Sequence, residues 1–187
     1  MTNFLHLPQL NNTTTNDNFL QLSPIIIKDD YRKKWNIHLD DFLCLTKNGE
    51  LISDSLYRVG GQSTPDLRKV NYFMLLKHVE AFYPKHITDH TKSDPKHLES
   101  RWCIIDKNGI EKVEFKQFDS PYLVSDSCIY SINSNYYNIE TGELYCNSHS
   151  AMKSADYLFL ENSYDKDISK RGIMKINKKD GSWELFK

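Results

Sequence analysis

A short stretch keeps returning along this chain, and whatever fold it takes must accommodate every copy. FLCLTKNGELIS, residues 42–53, is followed by WCIIDKNGIEKVEF from Trp102, YYNIETGELYC from Tyr136 and GIMKINKKDGSWELF from Gly172. In each copy an apolar run ends at Leu45, Ile105, Ile139 or Ile176. Two to four polar residues then lead into Gly49, Gly109, Gly142 or Gly181, and a second short run follows. A tight strand reversal needs a residue at positive φ, which glycine adopts without a Cβ clash and for which Asn and Asp are next best. Asn48-Gly49, Asn108-Gly109 and Asp180-Gly181 carry that chemistry, and Thr141-Gly142 carries it more weakly. Each copy is therefore expected to be a β-hairpin, and the chain mainly all-β.

Between the hairpins, Ser127 to Ile132 and Asp156 to Glu161 are short, aromatic and apolar with polar punctuation on both sides, which reads as strand. VNYFMLLKHVEAFY, residues 70–83, fits a strand, but Phe73, Leu76 and Val79 also fall near helical spacing, so one short helix near 70–83 is the alternative. Pro84 ends either form. Residues 1–23 are rich in Asn and Thr with isolated Phe4, Leu5, Phe19 and Leu20, and read as a polar N-terminal arm ahead of a single β-rich domain over 24–187. That arm either folds on a partner or straps the chain's own core.

The four glycines follow one another at 60, 33 and 39 residues. Taking His86 to Glu99 as an insertion in the second copy brings the spacing near that of a β-propeller blade, about 40 to 50 residues. The I-D-K-N-G, I-E-T-G-E-L and I-N-K-K-D-G-S-W stretches resemble the hairpins of propeller repeats of the WG and quinoprotein types, in which an apolar strand runs into D/N-x-x-G and then an aromatic residue. Trp183 follows its glycine closely, and Tyr145 takes that place in the third copy. The resemblance implies an irregular, small propeller-like array of about four units, a scaffold of a kind that mostly binds partners. It implies no functional residue. Hairpins this thin cannot bury both faces singly and must shelter one another side by side. An irregular β-sandwich built from the same hairpins is the competing fold.

Net charge narrows the function. With 24 basic against 25 acidic side chains, nothing draws in a polyanion, so no nucleic-acid partner is expected. No run approaches the length of a membrane span, and the first residues lack the pattern of a secretory signal, so no membrane partner and a cytoplasmic location are expected. Cys44, Cys103, Cys128 and Cys146 are far apart and have no zinc-ribbon spacing, which predicts small buried residues in a reducing compartment. Usage rich in Asn, Lys and Ile points to an AT-rich coding genome, such as a bacterium or its phage.

No stretch fixes a catalytic chemistry. His86 and His90, with His97 nearby, have one helical metal spacing, but the glutamate of HExxH is absent, and the segment reads as a solvated loop. Gly60-Gly61-Gln62 reads as a flexible connection. Ser148, His149 and Ser150 with Asp126 are no triad by adjacency alone, because neighbouring strand residues point to opposite faces. No glycine spacing suits a phosphate loop, and no cofactor is expected. The remaining signal is tyrosine: Tyr130, Tyr136, Tyr137 and Tyr164 are the candidate binding residues, since tyrosine joins stiff contact area to a polar tip. The resulting expectation is a non-enzymatic binding or assembly module that contacts another protein. The alternatives are an enzyme acting on a small molecule or glycan, with acids such as Asp54, Asp106, Asp119 or Asp126 at a central pocket, and a small-ligand-sequestering protein.

Overall fold

The structure, a computed structural model, describes residues 5–6, 20–24, 26–27, 43–47, 50–53, 55–58, 70–82, 96–163 and 165–187. Among these residues β-structure dominates, and the only helical turn is a 3-10 turn at Ile168–Lys170, capped by the Asp167 side chain accepting from the Ser169 N–H. The all-β expectation holds. The helix considered for residues 70–83 does not form: that segment is strand β7 (Tyr72–Phe82), paired along its whole length with β8 (Lys96–Asp106), from Tyr72 opposite Asp106 to Phe82 opposite Lys96. Two-sided burial decides it. Phe73 and Leu75 are buried on one face while Tyr72 and Met74 pack on the other, a period of two that a helix cannot satisfy. The segment His86 to Glu99 is also not wholly an insertion, because residues 96–99 belong to β8; residues 83–95 lie outside the described ones.

β7 and β8 are the spine of a large antiparallel sheet. Its order is β2 (Leu20–Pro24), β4 (Leu43–Lys47), β6 (Leu56–Arg58), β7, β8 and β9 (Glu111–Glu114), with β5 (Glu50–Leu51) also pairing β4. Lys47 opposes Glu50, so the first repeated stretch is a hairpin whose turn positions, 48 and 49, fall outside the described residues. Leu20, assigned to the arm by composition, is buried with Leu45, Phe73 and Ile105, and β2 spans the boundary drawn at residue 23. A two-stranded pair joins β1 (Leu5–His6) to β3 (Ile26–Ile27).

The last two copies each form their own four-stranded meander. The middle sheet runs β10 (Tyr122–Leu123), β11 (Ile129–Ile132), β12 (Asn135–Asn138) and β13 (Leu144–Asn147), and the last sheet runs β14 (Ala151–Lys153), β15 (Tyr157–Asn162), β16 (Gly172–Asn177) and β17 (Trp183–Phe186). The first two copies share the large sheet instead of forming one unit each. The eleven-residue β7 and β8 hold β6 on one side and β9 on the other, so hydrogen bonding runs through both copies. Among the described residues no sheet closes on itself.

The sheets stack face to face. Alternation along β11 sends Tyr130 and Ile132 toward the large sheet, where Leu123 joins Ile104, Phe115, Met74 and Trp102. The opposite face of the middle sheet, with Val124, Ile129 and Cys146, meets Leu158, Leu160, Met174 and Ile176 of the last sheet. A bulge at Tyr136/Tyr137 inserts Tyr145 as an extra residue between Leu144 and Cys146, so adjacent Tyr145 and Cys146 both enter this second cluster. Each fully buried Leu or Ile here contributes about 1.5–3 kcal/mol.

Every described hairpin glycine has positive φ: +85° at Gly109, +70° at Gly142 and +74° at Gly181. The turns also share one hydrogen-bonding plan. Asp106, Asn138 and Asn177 each open a turn, and each backbone carbonyl accepts from the N–H of its glycine at 2.9 Å. Each of these residues also caps the turn, its side-chain oxygen accepting from the N–H two residues on. One burial problem has been solved three times with the same residue types.

Candidate functional site

The expected tyrosine site is divided by the sheet. Tyr130 and Tyr137 are direct cross-strand partners, stacked at 5.2 Å with an interplanar angle of 15°, and Phe115 meets Tyr130 edge-on at 5.4 Å. Tyr130 packs into the junction with the large sheet. Tyr136, next in the chain to Tyr137, points the other way and packs on the junction with the last sheet. Tyr164 lies outside the described residues. Three tyrosines that look like one cluster in sequence therefore serve two different inter-sheet faces, all half-buried.

The polar groups that could do chemistry are committed to structure. Asp106 Oδ1 accepts from the N–H groups of Asn108 and Ile110, and Asp119 Oδ2 accepts from Lys116 N–H, so each serves its own turn. Asp126 sits at φ +54° in another turn, and Asp54 lies outside the described residues. Ser148 Oγ donates to the Ser150 carbonyl, while His149 Nδ1 lies 3.1 Å from Ser134 Oγ, so these residues do not line up as a relay. His86 and His90 are outside the described residues, and for His97 only the strand position, opposite Ala81, is described.

On the large sheet, Lys77 bonds Glu111 at 2.9 Å and Glu114 at 3.3 Å, and Arg101 bonds Glu114 at 2.9 Å as well as Glu99. Burial opposes the charge on Lys77, but the Glu111 hydrogen bond and the two carboxylates outweigh it and hold the ammonium above its usual range. Burial likewise opposes ionisation of Glu114, and Arg101 and Lys77 reverse that, pulling its carboxyl below the usual range. Lys77 and Glu114 are thus each held in the charged form by their partners. All four cysteines are buried, as expected. Burial pushes the Cys103 thiol up to about 12 and the Cys146 thiol up to about 11, so neither is a nucleophile at neutral pH.

What remains is the outer face of the last sheet, and its pattern is fixed by register. Met152, Phe159, Lys175 and Glu184 form one row across the four strands, Glu161, Ile173 and Phe186 form the next, and Tyr157 pairs with Asn177. Met152 is 70% exposed, Ile173 43% and Phe186 49%. Lys175 lies across this face with its Nζ 4.4 Å from the centre of the Tyr157 ring and 5.9 Å from that of Phe186, and donates to Glu184 Oε1 at 2.6 Å. The Glu184 carboxylate holds the Lys175 ammonium above its usual range. Beside it an open cleft of about 280 Å³ is lined by Tyr157, Lys175, Asn177, Ser182, Trp183 and Glu184. An aliphatic and aromatic sheet face crossed by one ion pair can dock another apolar surface while keeping orientation through charge.

Compared with protein families, curated proteins and solved structures, the chain matches none. Among the described residues no helix is long and apolar enough to cross a membrane.

Sequence reasoning passed over Phe159, Ile173, Lys175 and Phe186. The strands YLFLEN and GIMKIN are apolar at both odd and even positions, so periodicity marks two candidate core faces and does not say which one the rest of the chain covers. The splitting of Tyr136 from Tyr137, by contrast, was available from strand alternation alone.

Proposed function

We propose that this chain is a non-enzymatic binding or assembly module that contacts another protein through the outer face of its last sheet. The supporting observation is the contrast within β15 and β16. Leu158, Leu160, Met174 and Ile176 are buried, while the alternate positions carry Phe159, Ile173 and Lys175 over an uncovered face continued by Met152 and Phe186. Exposed apolar side chains grouped on one sheet face are costly to leave in water and mark interaction sites. The finer architecture belongs to the same proposal: the hairpin copies form an open, blade-like stack in the manner of propeller repeats, whose last blade is left with one free side. The shared turn plan of Asp106, Asn138 and Asn177 supports that relationship.

Affinity capture with the full chain and with the double variant Ile173→Glu/Phe186→Glu tests the proposal. Capture of a protein by the wild type, lost in the variant with thermal melting unchanged, is the expected outcome. If all capture survives the double substitution, the face is not the contact surface.

A further inference from the structure

We infer that the protein docked on this face is a second copy of the chain, related by a two-fold axis that runs parallel to the strands between β16 and β17. The inference rests on reading the outer face as a binding surface, and it adds the identity of the partner.

Lys175 opposes Glu184 across the two strands, and Ile173 opposes Phe186 in the neighbouring row. A two-fold axis between the strands exchanges the two columns when one sheet is laid on the other. Lys175 of one copy then faces the partner's Glu184, and Glu184 faces the partner's Lys175. Ile173 and Phe186 exchange in the same way. Ile173 and Lys175, the outward residues of β16 paired with β17, thus find their complements in the second copy, which is the requirement of an isologous interface. Two charges become a square of four, a network worth more than a single exposed pair.

The chain already builds this kind of junction twice. The large, middle and last sheets stack through apolar faces, and the outer face of the last sheet carries apolar side chains of the same kind, Phe159, Ile173 and Phe186, around its ion pair. Stacked sheets keep their strand directions within about 30° of each other, so the two rows stay in facing order.

Sedimentation of the full-length protein at sub-millimolar concentration is the direct test, with Lys175→Glu and Glu184→Lys as variants. The wild type is expected to be a dimer and each variant alone a monomer. An equimolar mixture of the two variants is expected to recover the dimer, because it sets two acids of one copy against two lysines of the other. The mixture separates contact between copies from the pair within one copy, since neither variant regains its own Lys175–Glu184 bond. Should either charge reversal unfold the chain, Phe186→Ser, which keeps both charges, must shift the dimer to monomer. A monomeric wild type, dimers in both single variants, or a mixture that stays monomeric overturns the inference. A monomeric wild type that still captures a different protein through Ile173 and Phe186 removes only the second copy and leaves the binding surface standing. Loss of both removes the two together.

Discussion

The last sheet has two faces that both carry large apolar side chains, the outer one crossed by the Lys175–Glu184 pair, and they have opposite fates. On its inner face Leu158, Leu160 and Ile176 are wholly buried against the middle sheet, while on its outer face Ile173 is 43% and Phe186 49% exposed. Ile173 and Met174 are adjacent in sequence, and the direction of the Cβ sends one to each face. Apolar character thus marks a face as capable of burial, and only the arrangement of neighbouring sheets says whether burial happens within one chain. The sharpest test sets the two faces against each other. Leu160→Ala or Ile176→Ala is expected to cost about 2–5 kcal/mol through lost transfer energy and an unfilled cavity. Ile173→Ala is expected to change monomer stability by no more than about 0.5 kcal/mol. Urea denaturation at low protein concentration measures both, and equal losses on the two faces would break the contrast.

The same contrast recurs between two turns. A Cβ at Gly181 would overlap Asn138 Nδ2 and the Tyr145 hydroxyl, whereas one at Gly142 meets nothing within 4 Å, although both glycines have positive φ. Gly142→Ala should therefore cost only the left-handed backbone penalty, about 1 kcal/mol. Gly181→Ala adds an overpacked contact between the middle and last sheets and should cost about 3 kcal/mol in total. Thermal unfolding of the two variants side by side checks the difference, and similar values would mean that the fourth turn is not pressed against the third copy.

These turns also show what the sequence made legible. The hairpins could be read because the signal is local: an Asn or Asp opening the turn and a glycine at positive φ lie within a few residues, and Gly109, Gly142 and Gly181 all take the expected conformation. The strand nature of residues 72–82 was half legible, since its residues fit two periods, and pairing with a distant β8 settled the choice. The merging of the first two copies into one sheet depends on contacts such as Leu43 with Tyr57 that no local pattern announces. The outer face was illegible for the same reason. Phe159 and Leu158 look alike until something is placed opposite one of them.

Tyr145 joins the middle and last sheets through a buried polar contact. Its hydroxyl donates to the Gly181 carbonyl at 2.9 Å and accepts from Asn138 Nδ2 at 2.8 Å, tying the fourth turn to the middle sheet. Tyr145→Phe leaves both groups without that partner and should cost about 2 kcal/mol. Burial pushes the Tyr145 phenol up to about 12. A folded pKa above the unfolded value of about 10 means that this contribution is complete below pH 10 and is lost as pH rises through 12. The thiols of Cys146 and Cys103, raised to about 11 and about 12, begin the alkaline loss earlier, from about pH 9 upward. The urea midpoint should thus fall steadily above pH 9 in the wild type, and Tyr145→Phe should flatten only the upper part of that decline.

A smaller effect than that of Tyr145→Phe is expected where the third turn meets the large sheet, because water shares the contact. Glu140 accepts from the Tyr72 hydroxyl at 2.5 Å and from Lys112 Nζ at 3.0 Å, linking turn and sheet as Tyr145 links the other side. The Tyr72 hydrogen bond, then Lys112, holds the Glu140 carboxyl below its usual range, yet its side chain is 46% exposed. Solvent screening of such a pair limits its worth, so Glu140→Gln should cost less than about 1 kcal/mol. A lowered folded pKa gives stability that is present above the unfolded carboxylate value and is lost as pH falls through the folded one, so Glu140→Gln should blunt acid destabilisation slightly. A loss as large as that of Tyr145→Phe would show that the two junctions of the middle sheet are held alike; a clearly smaller one would show that burial, and not the count of hydrogen bonds, sets the strength of each.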